Sequence, residues 1–144
     1  MSRWNITGTI IMKTKMCIAA LAAVLMVVLT SCDSTEAFIQ AEVTAANRLC
    51  PMPVGNGLTL ISAEYTGLYV RYDYKGDDSM HYFSQDLVDD AAKDEIVNEL
   101  RANAARDKNV DKFIKALKKK HVGIIYHYFT DSSAMDIVVS SNDL

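Results

Sequence analysis

The stretch LTLISAEYTGLYVRYDY, residues 58–74, predicts a β-hairpin and decides the fold class. Leu58–Tyr65 and residues 68–74 are typical of strands, and Thr66-Gly67 between them is typical of a tight turn. Residues of the second strand alternate between two faces, with Leu68, Val70, Tyr72 and Tyr74 on one face and Tyr69, Arg71 and Asp73 on the other. This alternation predicts a sheet with one buried face and one face toward solvent.

A second hairpin is predicted near the C-terminus of the sequence. Residues 122–129 are typical of a strand, residues 130–133 of a turn, and Met135, Ile137 and Val139 alternate along a last strand. Residues 70–74 and 124–128 also share a tyrosine, spacer, tyrosine pattern after a β-branched residue. An internal repeat explains this match, and so does the preference of aromatic residues for strands.

Helical periodicity marks the segments that flank the first hairpin. In residues 35–50 the apolar positions recur at steps of three and four and are Phe38, Ala41, Ala45 and Leu49. The polar residues of this helix fall elsewhere and are Glu36, Gln40, Glu42 and Arg48. Pro51-Met52-Pro53 ends the helix, and Gly55-Asn56-Gly57 is a turn cluster before the hairpin.

Two further helices are predicted between the hairpins. Ser84 is the expected N-cap of the first, whose inward stripe consists of Val88, Ala92, Ile96, Leu100 and Ala104. A break is expected in residues 106–109. The apolar positions of the next helix are Val110, Phe113, Ile114 and Leu117. The predicted helix ends with Lys118, Lys119 and Lys120, and cations at a helix C-terminus complement the helix dipole.

The order helix, hairpin, helices, hairpin predicts one α+β domain over residues 37–144, with four mostly antiparallel strands and helices packed on one face. The chain has 144 residues and a formal net charge of −3. It has no basic stripe beyond a few lysines, which argues against nucleic-acid binding, because phosphate neutralisation supplies most of that affinity.

Four short segments resemble a group of small exported bacterial domains, often lipoproteins, that carry no assigned function. The segments are Asn47-Arg48-Leu49-Cys50-Pro51, Gly57-Leu58-Thr59-Leu60, residues 69–74 and residues 123–128. The likeness covers most of residues 36–144 and implies the fold and export, but no reaction. Members of the group often have a further cysteine in the domain. Here Cys50 is left without a partner once Cys32 is acylated, so we expect no disulfide within the domain.

A secretory leader precedes the domain. Residues 12–16 are basic in character, residues 17–29 are all apolar, and small residues follow. The apolar run is shorter than the roughly 20 residues that a spanning helix needs. Met12 is a better start than Met1 for such a leader, and Cys17 lies within its apolar region.

The tract Leu29-Thr30-Ser31-Cys32 resembles the lipobox of bacterial lipoproteins. The resemblance implies that Cys32 is diacylated, that cleavage between Ser31 and Cys32 removes residues 1–31 as a signal peptide, and that residues 32–36 form a short leash. We therefore expect a lipid-anchored cell-envelope protein, in the outer membrane and facing the periplasm or the cell surface. A plain secretory signal with an incidental Cys32 is the alternative.

Few residues suggest catalysis or metal binding. Cys50 is the one thiol of the domain and is a candidate nucleophile, but its place at the end of a helix disfavours a thiolate, so we expect a packed apolar side chain. His81, His121 and His127 lack the spacing of common zinc sites. The carboxylate pairs Asp77-Asp78 and Asp89-Asp90 lack a calcium-loop pattern. We therefore expect no metal and no cofactor.

Tyrosines in and beside the strands are the most unusual feature that remains. Packing explains them, and so does an exposed patch for a protein or a glycan. The candidate interaction surface consists of Tyr69, Tyr72, Tyr74, Tyr126 and Tyr128. The function expected is a non-enzymatic envelope lipoprotein that binds a protein or a ligand. The alternative is an envelope enzyme or small-ligand-binding protein that uses Cys50 or a histidine in a pocket.

Overall fold

Three α-helices and five strands make up residues 35–144, the part of the chain that this computed structural model describes. The helices are α1 (Thr35–Arg48), α2 (Asp90–Arg106) and α3 (Lys108–Lys120), and a short 3-10 helix (Gln85–Leu87) precedes α2. The strands are β1 (Met52–Gly55), β2 (Leu58–Tyr65), β3 (Tyr69–Gly76), β4 (Gly123–Phe129) and β5 (Ala134–Val139). The expected signal peptide, the start at Met12 and the acylated Cys32 lie outside the described residues.

The strands form one sheet in the order β1-β2-β3-β4-β5, in which β3 and β4 are parallel and all other pairs are antiparallel. The α+β class and the mostly antiparallel sheet are confirmed, but the expectation of four strands is wrong. Prolines and glycines around β1 suggested a loop, yet Met52 and Pro53 pair with Leu60 and Thr59. β1 is an edge strand, where a proline without an N–H is tolerated.

The parallel pairing of β3 with β4 explains the shared tyrosine pattern. Val70, Tyr72 and Tyr74 pair in register with Ile124, Tyr126 and Tyr128. The ring centroids of Tyr72 and Tyr126 lie 5.9 Å apart, and those of Tyr74 and Tyr128 lie 5.1 Å apart, both pairs stacked. The matching segments therefore form one aromatic layer across two neighbouring strands.

This layer is part of the core, which corrects the predicted interaction surface. Tyr72, Tyr74, Tyr126 and Tyr128 are 1–4% exposed and belong to the same buried cluster as the apolar residues of the helices. A tyrosine ring is large and mostly apolar, so it can pack in a core beside the apolar residues of the helices. The exposed-patch prediction is wrong for these four residues, and only Tyr69 of the predicted set lies outside the core.

The helix predictions need two corrections. Helix α2 begins at Asp90, not after Ser84, because Asp89 caps it: its Oδ1 accepts a hydrogen bond from the Ala92 amide at 2.9 Å. Glu42, assigned to the polar side of α1, is buried. The break between α2 and α3 is confirmed, and Asp107 provides the N-cap of α3.

Helices α1 and α3 lie side by side and run in opposite directions. The carboxylate of Glu36, at the start of α1, lies 3.8 Å from the ammonium of Lys120, at the end of α3. Further along, Glu42 faces the charge of Lys112. The beginning of α1 and the end of α3 thus lie at the same end of the domain.

The outer edge of β5 is partly closed by a side chain. The amide group of Gln85 donates to the Asp136 carbonyl and accepts from the Asp136 N–H, both at 2.9 Å. These two bonds imitate the pairing of a further strand at this position. They reduce the length of edge that is open to another chain.

Candidate functional site: the open face of the sheet

Within residues 35–144, one face of the sheet is not covered by the core, and we call it the open face. Its outward side chains are partly or fully exposed, in contrast to the buried residues that alternate with them along β3, β4 and β5. The open face consists of Ser62, Glu64, Tyr69, Arg71, Asp73, Ile125, His127, Phe129, Asp136 and Val138.

A row of polar residues crosses the middle of the open face. The strand register places Ser62, Asp73, His127 and Asp136 beside one another on β2, β3, β4 and β5. Ser62 Oγ donates to Asp73 Oδ2 at 2.7 Å, and His127 Nδ1 lies 2.6 Å from Asp136 Oδ1. Each carboxylate of the row thus has a fixed polar partner, which holds the side chains in place.

A β-bulge sets the register of this row. The pairing of β2 with β3 shifts between Leu60 and Ser62, and Ile61 is left 38% exposed. The displaced amide of Ala63 donates to Asn47 Oδ1 at 3.1 Å. Because a bulge changes which residues share a face, the shift is what places Ser62 beside Asp73.

Arg71 adds a positive charge next to the row. Its Nε donates to Asp73 Oδ1 at 2.7 Å, and this hydrogen bond raises the pKa of Arg71. The guanidinium therefore offsets the charge of Asp73 while its remaining N–H groups are available to a ligand.

Apolar side chains flank the polar row. Ile125 and Val138 lie in the row that contains Arg71, and Phe129 stacks on the ring of His127 with centroids 5.3 Å apart. Val138 is 42% exposed. Aromatic residues and arginine are enriched in protein interfaces, and the open face presents Phe129 and Arg71 together.

Tyr69 is the one predicted interface tyrosine on the open face. Its ring lies across Gly123, where an added Cβ would come within 2.8 Å of the ring and of the Val139 carbonyl oxygen. The absence of a side chain at Gly123 therefore leaves room for the ring at this position. Of the other strand-flanking tyrosines, Tyr82 is 61% exposed and Tyr65 is half-buried.

The geometry of the row does not match a nucleophilic triad. A histidine–aspartate pair is the arrangement that orients a general base. Here, however, Ser62 donates to Asp73 and not to His127, so the imidazole does not hold the serine proton. The sequence analysis does not predict Ser62 or Asp136 as site residues, because alternation along each strand is the only signal that they carry.

Cys50 is placed as an apolar side chain, as expected. It packs against the core, and its Sγ donates to the Ala46 carbonyl at 3.4 Å. Burial raises the pKa of the Cys50 thiol, which lowers the thiolate fraction that a nucleophile needs.

The structure does not bring the three histidines together. His81 stacks on Phe83 and lies over Gly76, His121 caps the end of α3, and His127 lies on the open face. Within residues 35–144, no group of three or more His, Cys, Asp or Glu side chains has the arrangement of a metal site. Asp89 serves as a helix cap, and Asp78 accepts a hydrogen bond from Ser132.

No helix in the described part of the chain is both long enough and apolar enough to cross a bilayer. Searches of protein-family models and of curated proteins find no match to the sequence. The structure is similar to that of the type II secretion system pilotin AspS from Vibrio cholerae, with a TM-score of 0.50 and 13% sequence identity. The similarity covers 76% of this chain and 92% of that chain, and it shows a shared fold.

Proposed function

We propose that this chain is an outer-membrane lipoprotein, anchored through Cys32, whose domain binds an envelope protein through the open face and catalyses no reaction. The observation that carries the binding function is the open face itself, with its fixed polar row flanked by Ile125, Phe129 and Val138. The lipobox-like tract Leu29-Thr30-Ser31-Cys32 supports the anchor.

The fold suggests which class of partner to test first. A pilotin of a type II secretion system has the same fold, so a component of a secretion machine is our first candidate. A protein fits the open face better than a glycan does, because four of the five tyrosines that suggested a sugar-stacking surface are buried. The mixture of Arg71, Asp73 and apolar neighbours gives a protein both charged and apolar contacts.

The anchor is tested by Cys32→Ala. We expect this variant to lose all incorporation of a fatty-acid probe and to accumulate as uncleaved precursor, since the acylated thiol is the substrate for cleavage in the lipoproteins that the tract resembles. Labelling in cells and mass spectrometry of the purified protein measure both effects. Cys17→Ala and Cys50→Ala are matched controls that should keep normal labelling. Fatty-acid labelling of the Cys32 variant would contradict the anchor.

The binding face is tested by photo-crosslinking in the native envelope, with the crosslinker in place of Val138 on the open face or of Lys115 on α3. We expect a discrete protein adduct from position 138 only. Arg71→Glu should reduce its yield at least tenfold, which corresponds to about 1.4 kcal/mol, because it replaces the positive charge of the open face by a negative charge beside Asp73. Lys108→Glu, a charge reversal at the exposed start of α3, should leave the yield unchanged. Equal adducts from both positions, or an adduct that is insensitive to Arg71→Glu, would exclude the open face.

A further inference from the structure

We propose that the end of the domain where α1 begins and α3 ends docks on the anionic phospholipid surface of the membrane that holds Cys32. We call this the membrane-facing end, and it comprises Leu68, Lys118, Lys119 and Lys120. The inference rests on the proposed lipid anchor, and it adds a fixed orientation of the domain on the bilayer.

The length of chain outside the domain places this end next to the membrane. Helix α1 begins at Thr35, three residues after the proposed anchor at Cys32. A fully extended linker of three residues spans at most about 10 Å. This is close to the distance of about 8–10 Å over which charges interact at moderate salt. The start of α1 therefore cannot leave the region in which a charged bilayer acts on it.

Basic side chains are concentrated at the same end. Lys118, Lys119 and Lys120 are consecutive and exposed at the end of α3. Glu36, 3.8 Å from Lys120, is the acidic neighbour and offsets one of the three charges. Asp33, next to the proposed anchor, adds a second negative charge near the membrane, so three lysines face two carboxylates and the excess at this end is one positive charge. The attraction of anionic lipids to each such lysine is worth about a fivefold change in the ratio of docked to undocked protein.

An exposed apolar side chain lies beside the lysines. Leu68, in the β2–β3 turn, is 71% exposed, the highest value among the large apolar residues of the described chain. The carbonyl of Leu68 accepts a hydrogen bond from the amide of Gly123 at 3.0 Å. Gly123 follows Lys120 by three residues. The turn and the end of α3 are thus joined. An apolar side chain beside cations is the combination that enters the headgroup region of a bilayer.

The orientation is testable in the reconstituted, acylated full-length mature protein. The protein is placed in vesicles of phosphatidylcholine, or of phosphatidylcholine with about one-third phosphatidylglycerol, and lysines are acetylated and read by mass spectrometry. We expect Lys118, Lys119 and Lys120 to react several-fold more slowly on the anionic vesicles. Lys75 and Lys108, at the opposite ends of β3 and α3, should react equally on both. Salt at about 0.5 M should remove the protection, because it shortens the screening length to about 4 Å.

Matched double variants separate charge from fold. Lys118→Gln/Lys119→Gln keeps the Lys120–Glu36 pair and should lower the ratio of docked to undocked protein about 25-fold, so that Lys120 loses its protection. Lys75→Gln/Lys108→Gln removes the same charge from the other end and should leave Lys120 protected.

The outcomes also separate this inference from the proposed anchor. One outcome is that the protein floats with both kinds of vesicle while the lysines of the membrane-facing end are acetylated as fast as Lys75 and Lys108. This result overturns the docking and supports the lipid anchor. If the purified protein has the mass of the unacylated chain and does not float with phosphatidylcholine vesicles, both the lipid anchor and the docking are overturned. Protection of Lys118, Lys119 and Lys120 that depends on phosphatidylglycerol and salt supports the docking.

Discussion

Replacing Tyr126 by alanine should lower the free energy of unfolding by about 3–5 kcal/mol. The side chain is 1% exposed and lies in the middle of β4, and its ring stacks on Tyr72 with centroids 5.9 Å apart. Truncation removes a large apolar area from the core and leaves a cavity between β4 and the helices. It also removes the stacked pair, which contributes about 0.5–1.5 kcal/mol beyond area burial.

Urea denaturation of residues 33–144, followed by circular dichroism, measures this loss. Tyr82→Ala is the matched control, because the same side chain is removed from a position that is 61% exposed. We expect that variant to lose less than about 1 kcal/mol. If the two substitutions cost the same, the aromatic layer does not lie in the core, and these tyrosines would again be available as an interaction surface.

The sequence could predict that two faces differ, but it could not assign the tyrosines to one of them. Alternation along residues 70–74 separates Tyr72 and Tyr74 from Arg71 and Asp73, and this separation is correct. A tyrosine is compatible with either face, because its ring is apolar and its hydroxyl polar. The parallel pairing of β3 with β4 puts the four tyrosines on one face, and packing of that face against the helices buries it. Contacts between segments so far apart leave no local signal in the sequence.

Residue preferences along the sequence predict the ends of two elements wrongly, the start of β3 and the start of α2. The alternation predicts Leu68 on the same face as Val70 and Tyr72, but β3 begins one residue later and Leu68 lies exposed in the turn. Ser84 is a good N-cap by type, yet Asp89 caps α2 because the chain first bends through a 3-10 helix. Residue preferences for caps and turns are small compared with the packing of the helices they end.

The polar row of the open face could not be predicted from the sequence, for a different reason. Its four residues lie on four strands, and a one-residue bulge at Ile61 brings Ser62 into the row. A shift of one residue exchanges the faces of a strand. Without the register, Ser62 and Asp136 are ordinary polar residues of amphipathic strands, and only the imidazole of His127 indicates a candidate site.

Glu42 is the largest departure from the sequence prediction in α1, and it makes stability depend on pH. The residue is 5% exposed. Burial raises the pKa of Glu42 from 4.5 to about 7, and the charge of Lys112 opposes this rise only in part. A carboxyl group with a raised pKa favours the folded state when it is protonated. Its contribution to stability is therefore complete below about pH 4.5 and is lost as the pH rises through about 7.

Glu42→Gln should therefore raise the free energy of unfolding by about 1–3 kcal/mol at about pH 8 and change it little at about pH 4. Glutamine has the shape of the protonated carboxyl group and cannot ionise, so the cost of burying a charge disappears at high pH. Urea denaturation of both proteins across this range gives the difference, in which the titration of all other groups cancels. Glu95→Gln, at an exposed site on α2, should shift stability by less than about 0.5 kcal/mol at both pH values. A gain for Glu42→Gln that is the same at both pH values would mean that the carboxyl group does not change charge between them, and that α1 does not bury it.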